Sequence, residues 1–512
     1  MNKKRIVLLL TGLLSVSIGA CQNNGSSTTS NLSSSSSFAQ TSALINPSSV
    51  LSSSSTISSS ERKQIDPEEA LEFSSDMGID GGVSVKAKNT DIEGDLVIPS
   101  EYNGKKVTCV YCFGFQGCKK LSSVVIPDTV IEIQWDAFSG CERLESVTFG
   151  KGLKSIDSYA FRYCDSLKEV VIPDNVTDLG EGSFGRCPSL KSVIIGKGIE
   201  KISDYAFELC TSLEKVTLPD TVKEIGEFAF SYCSLAKFNL PNNLTSIGRF
   251  AFSHCGNITK FSIPNSVTSI GDGAFLGCDQ LKEINIVNNN AAYCSINGVV
   301  YNKDKTALVC FPNGLDKDFT IENSVTTIGN YAFAGCNRLG EYTVPNHVVT
   351  IGELAFAYCE SLVHITIPDS VTTIGMYCFS SCHLLRNFIF PNNIKSIESG
   401  MFSHCTSLNY VGIPDGVTYL GSSAFQDCNA LTYVILPKSI KQFGIWIFDY
   451  PTKEIFYKGS EEEWDSIEKS SSIFEHSWQE TTIYFYSETQ PTKAGNYWHY
   501  VDNVRTIWNN ID

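Results

Sequence analysis

The chain has 512 residues and a formal net charge of −16 at pH 7, from 39 Lys and Arg against 55 Asp and Glu. Hydrophobic residues make up 42% of it, enough to bury a sizeable core. The sequence lacks the long basic stripe that binds a phosphate backbone, so we do not expect nucleic acid as a partner. An acidic surface favours solubility and basic patches on partners.

Residues 1–20 have the pattern of a secretory signal peptide. Basic residues at 3–5 precede an apolar run, 6–18, which is too short to span a bilayer as a permanent helix. Two small residues stand directly before Cys21 and resemble a lipobox. We therefore expect an exported lipoprotein that a lipid on Cys21 anchors to the membrane. An ordinary signal peptide followed by an incidental cysteine is the alternative.

Residues 21–60 predict a flexible tether. They are mostly Ser, Thr and Asn, with serine runs at 33–37 and 52–55. Such a segment cannot bury enough apolar surface to fold. Placed after a lipid anchor, it would lift a folded domain away from the membrane.

Residues 61–112 predict an N-terminal cap. Residues 83–85 and 95–98 have the alternation of short strands, and the Y-N-G-K sequence at 102–105 predicts a tight turn. Because the end of a stacked core must be covered, we expect this segment to close the first turn of a stack formed by residues 113–450.

Residues 113–450 repeat one unit, seen clearly at 213–233 with the sequence LEKVTLPDTVKEIGEFAFSYC. Its skeleton is L-x-x-V-x-I/L-P-x-x-V-x-x-I-G-x-x-A-F-x-x-C. Within it, Val216 and Leu218 alternate with polar residues and predict a short strand, which Pro219 ends. Residues 227–233 predict a helical turn with its apolar side chains inward.

Self-similarity at a fixed period is the signature of a solenoid. One unit has too little core to fold alone, but stacked units bury a continuous one. We therefore expect a β-rich repeat solenoid, α/β horseshoe-like, with a parallel sheet along one face. It should have about 14 turns and a cap at each end.

The motifs I-P-D-x-V, I-G and A-F-x-x-C recur through residues 90–450. In this skeleton the chain resembles the BspA-like leucine-rich-repeat family of bacterial surface proteins. The resemblance implies display at a bacterial cell surface, with host matrix proteins, other cells or surface polymers as partners.

The ladder cysteines, one at the end of each unit, mark the register. They stand 23 residues apart from Cys118 to Cys233, and again from Cys336 to Cys428. Between Cys278 and Cys336 there are 58 residues instead of two normal periods. The excess predicts a hairpin insertion at about 290–315 that bulges from the stack.

Residues 451–512 predict a C-terminal cap. Ser460 and Glu463 form a capping box that starts a short helix. A strand at 481–486 and aromatic residues at 497–500, with Trp508, would close the end of the core. A small carbohydrate- or wall-binding module is the alternative.

Thirteen of the 19 cysteines are ladder cysteines, and we expect them to be buried, reduced and structural. Cys109 and Cys112 form a weak redox or zinc signal, and one disulfide with Cys118 is an alternative for them. Cys294 and Cys310 flank the insertion, where a bridge is also conceivable.

The sequence has no nucleophile elbow, phosphate loop or zinc-binding helix motif. We therefore expect no catalytic residues, metal or cofactor, and do not expect an enzyme.

Function should then lie in outward-facing strand residues, which packing does not use. Two groups of these are candidate ligand contacts. The first is a basic stripe of Lys215, Lys237 and Lys260. The second is an aromatic and aliphatic patch of His364, Asn387, Ile389, Tyr410, Tyr433 and Ile435. Tyrosines on a rigid sheet suit recognition, although strands favour such residues in any case.

The resemblance to the BspA-like family, together with the expected surface display, implies adhesion or recognition of an extracellular protein or glycan. A structural envelope protein with no specific ligand is the alternative.

Overall fold

The computed structural model describes residues 63–75, 78–316, 319–448, 452–469 and 481–508. The expected signal peptide, the lipidated Cys21 and the tether lie outside these ranges. The described chain is a β-solenoid of about 17 turns with mostly parallel strands, as the repeat predicts.

In the described ranges, the strands are interrupted by the short α-helices α1 at Pro67–Ala70 and α2 at Glu461–Asp465 and by a 3-10 helix at Ile79–Gly81. The strands before the first full repeat are β1 Leu71–Ser74, β2 Val83–Ala87, β3 Gly94–Val97, β4 Glu101–Tyr102 and β5 Lys105–Val110. Those of the first repeat block are β6 Leu121–Val125, β7 Glu132–Ile133, β8 Ser146–Thr148, β9 Ser155–Ile156, β10 Glu169–Val171, β11 Asp178–Leu179, β12 Ser192–Ile194, β13 Lys201–Ile202, β14 Lys215–Thr217, β15 Glu224–Ile225, β16 Ser246–Ile247, β17 Lys260–Ile263, β18 Ser269–Ile270 and β19 Glu283–Ile286.

The insertion forms β20 Tyr293–Ile296, β21 Val299–Asn302 and β22 Ala307–Cys310. The second block has β23 Thr327–Ile328, β24 Glu341–Thr343, β25 Thr350–Ile351, β26 His364–Thr366, β27 Thr373–Ile374, β28 Asn387–Ile389, β29 Ser396–Ile397, β30 Tyr410–Gly412, β31 Tyr419–Leu420, β32 Tyr433–Leu436 and β33 Gln442–Phe443. The tail forms β34 Glu454–Tyr457, β35 Glu468–Lys469, β36 Thr482–Tyr486, β37 Tyr497–Val501 and β38 Val504–Ile507.

Each repeat has three sides. The strand before the proline joins what we call the front sheet, which runs through β3-β6-β8-β10-β12-β14, then β17-β19, then β24-β26-β28-β30-β32-β34-β36-β37-β38. The two-residue strand before the I-G glycine joins the back sheet. The A-F-x-x-C segment forms the third side, the turn face.

Aliphatic residues of both sheets and the phenylalanines of the turn face fill the core. The rings of Phe115, Phe138 and Phe161 stack with centroids 4.8 and 5.0 Å apart, and equivalent rings repeat this contact along the solenoid. All three are fully buried, which explains why the phenylalanine of the motif recurs.

The turn face is not helical, contrary to the sequence prediction. Phe228 and Tyr232 have left-handed backbones, with φ of 54° and 60°. Successive backbone N–H groups donate alternately to the next turn and to their own turn. The N–H of Phe230 donates to Ala251 O of the next turn at 2.8 Å, and that of Ser231 donates to Phe228 O of its own turn at 3.1 Å. Bonding between turns replaces the helical ladder. The inward direction of the motif's apolar residues is confirmed, since Phe230 is fully buried.

The described cysteines are thiols outside any disulfide, and the ladder cysteines are buried as predicted. Their thiols also donate to a backbone carbonyl one turn earlier, as from Cys187 Sγ to Phe161 O at 3.1 Å. The ladder therefore ties neighbouring turns together as well as filling space. Cys294 and Cys310 lie on β20 and β22 with β21 between them, so they do not form a bridge.

The insertion continues the stack instead of bulging from it. Strands β20, β21 and β22 form an antiparallel meander, and β22 pairs in parallel with β23 of the back sheet. The apolar run Val299, Val300 and Tyr301 is fully buried, which holds the meander in the core. One hydrophobic cluster ends at Val300 and the other begins at Val299, so the insertion joins two cores.

Both terminal segments add turns to the sheets, so the solenoid is longer than the 14 turns expected. Strands β2, β3 and β5 extend the sheets at one end, and β34, β35 and β36 extend them at the other. The predicted tight turn joins β4 to β5, and the capping box of Ser460 and Glu463 begins α2. Trp498 is fully buried, and its indole Nε1 donates to Tyr457 O at 3.0 Å, which closes the last turn.

Candidate functional site

The front sheet presents two columns of outward-facing side chains, because its strands pair in register turn after turn. Asn387 aligns with Tyr410, and Tyr410 aligns with Tyr433. The adjacent column aligns Ile389, Gly412 and Ile435 in the same way. Between the columns, inward residues of these strands are buried. The predicted alternation is thus present.

The structure brings the second group of candidate residues together on β26, β28, β30 and β32. We call it the tyrosine patch, formed by His364, Asn387, Ile389, Tyr410, Tyr433 and Ile435. Ile389 is 74% exposed and Tyr410 is 41% exposed, whereas Tyr433 and Ile435 are half-buried. The rings of Tyr410 and Tyr433 stack with centroids 5.3 Å apart.

The polar edge of the patch lies on β26 and β28. His364 and Asn387 are exposed, and His364 Nε2 is 3.3 Å from the hydroxyl of Thr366 on the same strand. The patch therefore combines an apolar surface with an imidazole and an amide able to donate and accept hydrogen bonds.

Arg505 of β38 covers one end of the patch, a contact that no pattern in the sequence indicates. Its guanidinium carbon lies 3.9 Å from the ring centroids of both Tyr433 and Phe456. Its Nη1 also lies 3.3 Å from Glu454 Oε2. The terminal hairpin β37–β38 is the last part of the front sheet, and its Arg505 side chain covers the outward rings of β32 and β34, which contributes to the partial burial of Tyr433.

This cover changes the electrostatics at the tyrosine. Desolvation raises the pKa of Tyr433, and the nearby Arg505 charge partly opposes that rise. Tyr433 therefore stays a neutral hydroxyl at physiological pH, available as a donor or an acceptor.

The basic stripe is less continuous than the sequence predicts. Lys215 is on β14, the last strand of its sheet segment, and Lys260 is on β17, the first of the next. Lys237 lies between them and outside any strand, where the repeat is one residue short. Lys260 Nζ is 2.7 Å from Glu283 Oε2, so its charge is paired. All three lysines are exposed.

The repeat register could have identified Glu454 and Phe456 as outward-facing neighbours of the tyrosine patch. They lie on β34 and align with Tyr433 and Ile435, so they continue the two columns. Arg505 has no such signal, since it comes from a hairpin outside the repeat.

Within the described ranges, His, Cys, Asp and Glu side chains do not gather in threes to hold a metal ion. Those ranges also contain no helix that is long and apolar enough to cross a membrane.

The repeat skeleton matches the BspA type leucine rich repeat region over residues 99–214, 200–303, 305–432 and 385–494. The chain belongs to this family. The family assignment agrees with the repeat spacing, the parallel sheets and the buried phenylalanine column. None of the curated proteins compared with the chain matches it.

The solved structures that share the architecture include the following two. A leucine rich cell surface protein from Faecalibacterium prausnitzii is 28% identical, with a TM-score of 0.54; the match covers 79% of this chain and 97% of that one. A leucine-rich repeat protein from Eubacterium ventriosum is 23% identical, with a TM-score of 0.52, over 79% of this chain and 92% of that one. The second likeness shows the fold alone.

Proposed function

We propose that this protein is exported, displayed at a bacterial cell surface, and acts in adhesion or recognition through the tyrosine patch. Membership of the BspA-type family supports display, as does the likeness to a Faecalibacterium protein described as a cell surface protein. The lipobox-like sequence before Cys21 supports a lipid anchor, with residues 22–60 as the tether.

The observation that carries the proposal is the exposed apolar surface on paired, rigid strands. Ile389 is 74% exposed, and Tyr410 stacks on Tyr433 instead of turning inward. Aromatic side chains held in one orientation lose little entropy on binding and are enriched in the energetic centres of interfaces. The partner is an extracellular protein or glycan.

The test is binding of the full-length chain to an array of matrix proteins and glycans. The variant Tyr410→Ser/Tyr433→Ser removes the stacked rings. The matched control Val171→Ser/Ile194→Ser changes two outward apolar residues on β10 and β12, which are 56% and 46% exposed.

We expect saturable binding that falls at least tenfold in the tyrosine variant and is unchanged in the control. Equal binding by both variants would refute the patch as the ligand surface. Absence of any binding, together with lateral self-association of the chain, would favour the structural envelope role instead.

A further inference from the structure

The turn face near the N-terminal end exposes aromatic side chains that packing does not use. Phe113, Trp135 and Tyr163 are 44%, 47% and 43% exposed. Phe113 and Trp135 contact each other edge to face, with centroids 4.9 Å apart. Farther along the same face, Phe228 and Phe250 are buried and stack on one another. Packing between turns therefore accounts for the presence of aromatic residues at Phe228 and Phe250, but it does not account for the three exposed ones.

Two arginines lie over the exposed tyrosine. The guanidinium carbon of Arg162 is 5.0 Å from the Tyr159 ring centroid and 4.9 Å from that of Tyr163. Arg186, one turn later, is 5.7 Å from the Tyr163 ring. The Tyr159 hydroxyl donates to Glu181 Oε1, which fixes that ring beneath Arg162. Cation–π contacts thus hold both guanidinium groups in place.

Most donors of these arginines remain free. Across the described ranges, the Arg162 side chain makes no hydrogen bond or ion pair. Arg186 Nε is 3.6 Å from Glu208 Oε2, an ion pair longer than a hydrogen bond, and this buried N–H has no acceptor. A guanidinium offers five donors in a planar fork that matches carboxylate or sulfate oxygens. The Glu208 carboxylate lies near both arginines and lowers the net charge of the site, but the two guanidinium groups still have more N–H donors than they have hydrogen-bonded acceptors.

Space is open beside Tyr163. The two preceding residues at its repeat position are Gly117 and Gly140, so no side chains stand there. A Cβ atom at Gly117 would meet no atom within 4 Å, and one at Gly140 would meet only the Gly117 backbone, at 3.8 Å. Gly117 and Gly140 thus form a shallow surface beside Tyr163, which we call the glycine shelf.

We propose that this arginine cluster, formed by Arg162, Tyr163 and Arg186, binds an acidic carbohydrate. A sugar ring stacks on Tyr163 across the glycine shelf, and its carboxylate or sulfate accepts hydrogen bonds from both arginines. Adjacent sugars of the chain contact Trp135 and Phe113 on the earlier turns. A pyranose ring that places its apolar C–H face on Tyr163 beside an anion fits this shelf better than an extended acidic peptide, which would leave the exposed aromatic rings unstacked.

The experiment is calorimetric titration of the full-length chain at low ionic strength with hexagalacturonate and with sulfated and neutral dextran oligomers. Hexaglutamate tests the peptide alternative. The variant Arg162→Gln/Arg186→Gln removes the charge, and Tyr163→Ser removes the stacking surface. The matched control is Arg249→Gln, since Arg249 also lies over a turn-face ring, 5.5 Å from Phe250, but away from the shelf.

We expect an acidic oligosaccharide to bind at least tenfold more tightly than neutral dextran and hexaglutamate. Both cluster variants should weaken this binding at least tenfold while circular dichroism shows that they are folded at the titration temperature, and Arg249→Gln should leave the binding unchanged. The carboxylated and sulfated probes identify which anion is preferred.

Equal binding of neutral dextran, equal binding of hexaglutamate, or unchanged binding in Tyr163→Ser would overturn the proposal. If the double variant does not fold, the single variants Tyr163→Ser and Arg162→Lys replace it in the titration. Tyr410→Ser/Tyr433→Ser should bind the acidic oligosaccharide normally, which separates this site from the tyrosine patch.

Discussion

The two halves of the front sheet have the same interior and different exteriors. Inward residues such as Val193 in the first half and Val411 in the second are equally buried. Outward, the first half carries small or paired polar residues such as Ser146 and unstacked aliphatic residues such as Val171, whereas the second carries stacked Tyr410 and Tyr433. Packing therefore constrains one set of positions along the whole solenoid, and the other set is free to differ between regions.

The ends of the two halves differ as well. At the N-terminal end of the first half, the outward Ser123 hydroxyl donates to Asp95 Oδ1 at 2.7 Å, which is a local polar contact. At the second, the β37–β38 hairpin lays Arg505 over Tyr433 and Phe456. The tail thus shapes the outward surface in one half only.

The largest expected effect is the loss of folding stability at high pH. It tests whether both halves have the same interior of buried, protonated thiols. Burial raises the pKa of Cys118, Cys255, Cys359 and Cys405 to about 12. The folded state thus holds these protons more tightly than the unfolded chain, so the contribution of these thiols to stability is constant below pH ~9 and falls above it by ~1.4 kcal/mol per pH unit for each thiol.

Urea unfolding under reducing conditions from pH 7 to 10.5 measures this effect. Cys405→Ala should give a shallower decline by one thiol's share. Unchanged stability up to pH 10.5 would contradict a buried, protonated ladder.

The next effect asks whether the two cores act separately. Phe207 and Phe402 are fully buried equivalents on either side of the insertion. Phe207→Ala or Phe402→Ala should each lower the free energy of unfolding by about 3–5 kcal/mol, from lost transfer energy and a cavity. Because contacts in a solenoid are local, native-state hydrogen exchange should accelerate mainly in the half that carries the change. Equal acceleration in both halves would show one cooperative core.

A smaller effect on stability tests the contact of Arg505 with Tyr433 and Phe456 at the C-terminal end of the front sheet. Arg505→Gln removes two cation–π contacts and the ion pair with Glu454, and should destabilise the tail by about 1–2 kcal/mol. Hydrogen exchange should accelerate in β34–β38 and stay unchanged in β6–β14. Arg505→Lys keeps the charge but not the planar stacking, so it should recover only part of the loss. A full recovery would assign the effect to charge alone.

The smallest effect concerns the turn face, where the halves again differ. Ser423 has φ of 56°, a conformation in which glycine is less strained, and Ser423→Gly should stabilise the protein by about 0.5–1 kcal/mol. Tyr205 occupies the same position in the first half, with φ of 58°, but its ring stacks on Phe228 at 5.1 Å. Tyr205→Gly should therefore destabilise. Thermal unfolding of both variants decides this, and a gain in both would mean that the stack contributes nothing.

The features predictable from the sequence are those that every repeat encodes. Buried Val, Phe and Cys positions, the outward columns and the capping box at Ser460 follow directly from period and local chemistry. The left-handed turns were harder to predict, because Phe228 and Tyr232 adopt φ values that usually require glycine; the glycines at the Tyr232 position in other repeats, Gly117 and Gly140, were the signal that could have indicated them. Hydrogen bonds to the next turn hold them there, and these do not show in one repeat read alone.

Departures from the repeat were the hardest to predict. The break in the front sheet at Lys237 follows from one missing residue, whose effect on strand pairing depends on the neighbouring turns. The contact of Arg505 with Tyr433 joins residues far apart in the sequence, through a hairpin without periodicity. The arginine cluster of the turn face was also missed, because it depends on the side chains of two turns and on empty space beside them.

The most direct test of the tyrosine patch is a hydrogen-exchange footprint of the full-length chain, with and without the array component that binds it most tightly. We predict slower exchange in β26, β28, β30 and β32 and no change in β6–β14. Protection confined to β6–β14, or spread equally over both halves, would contradict a recognition surface that belongs to the second half.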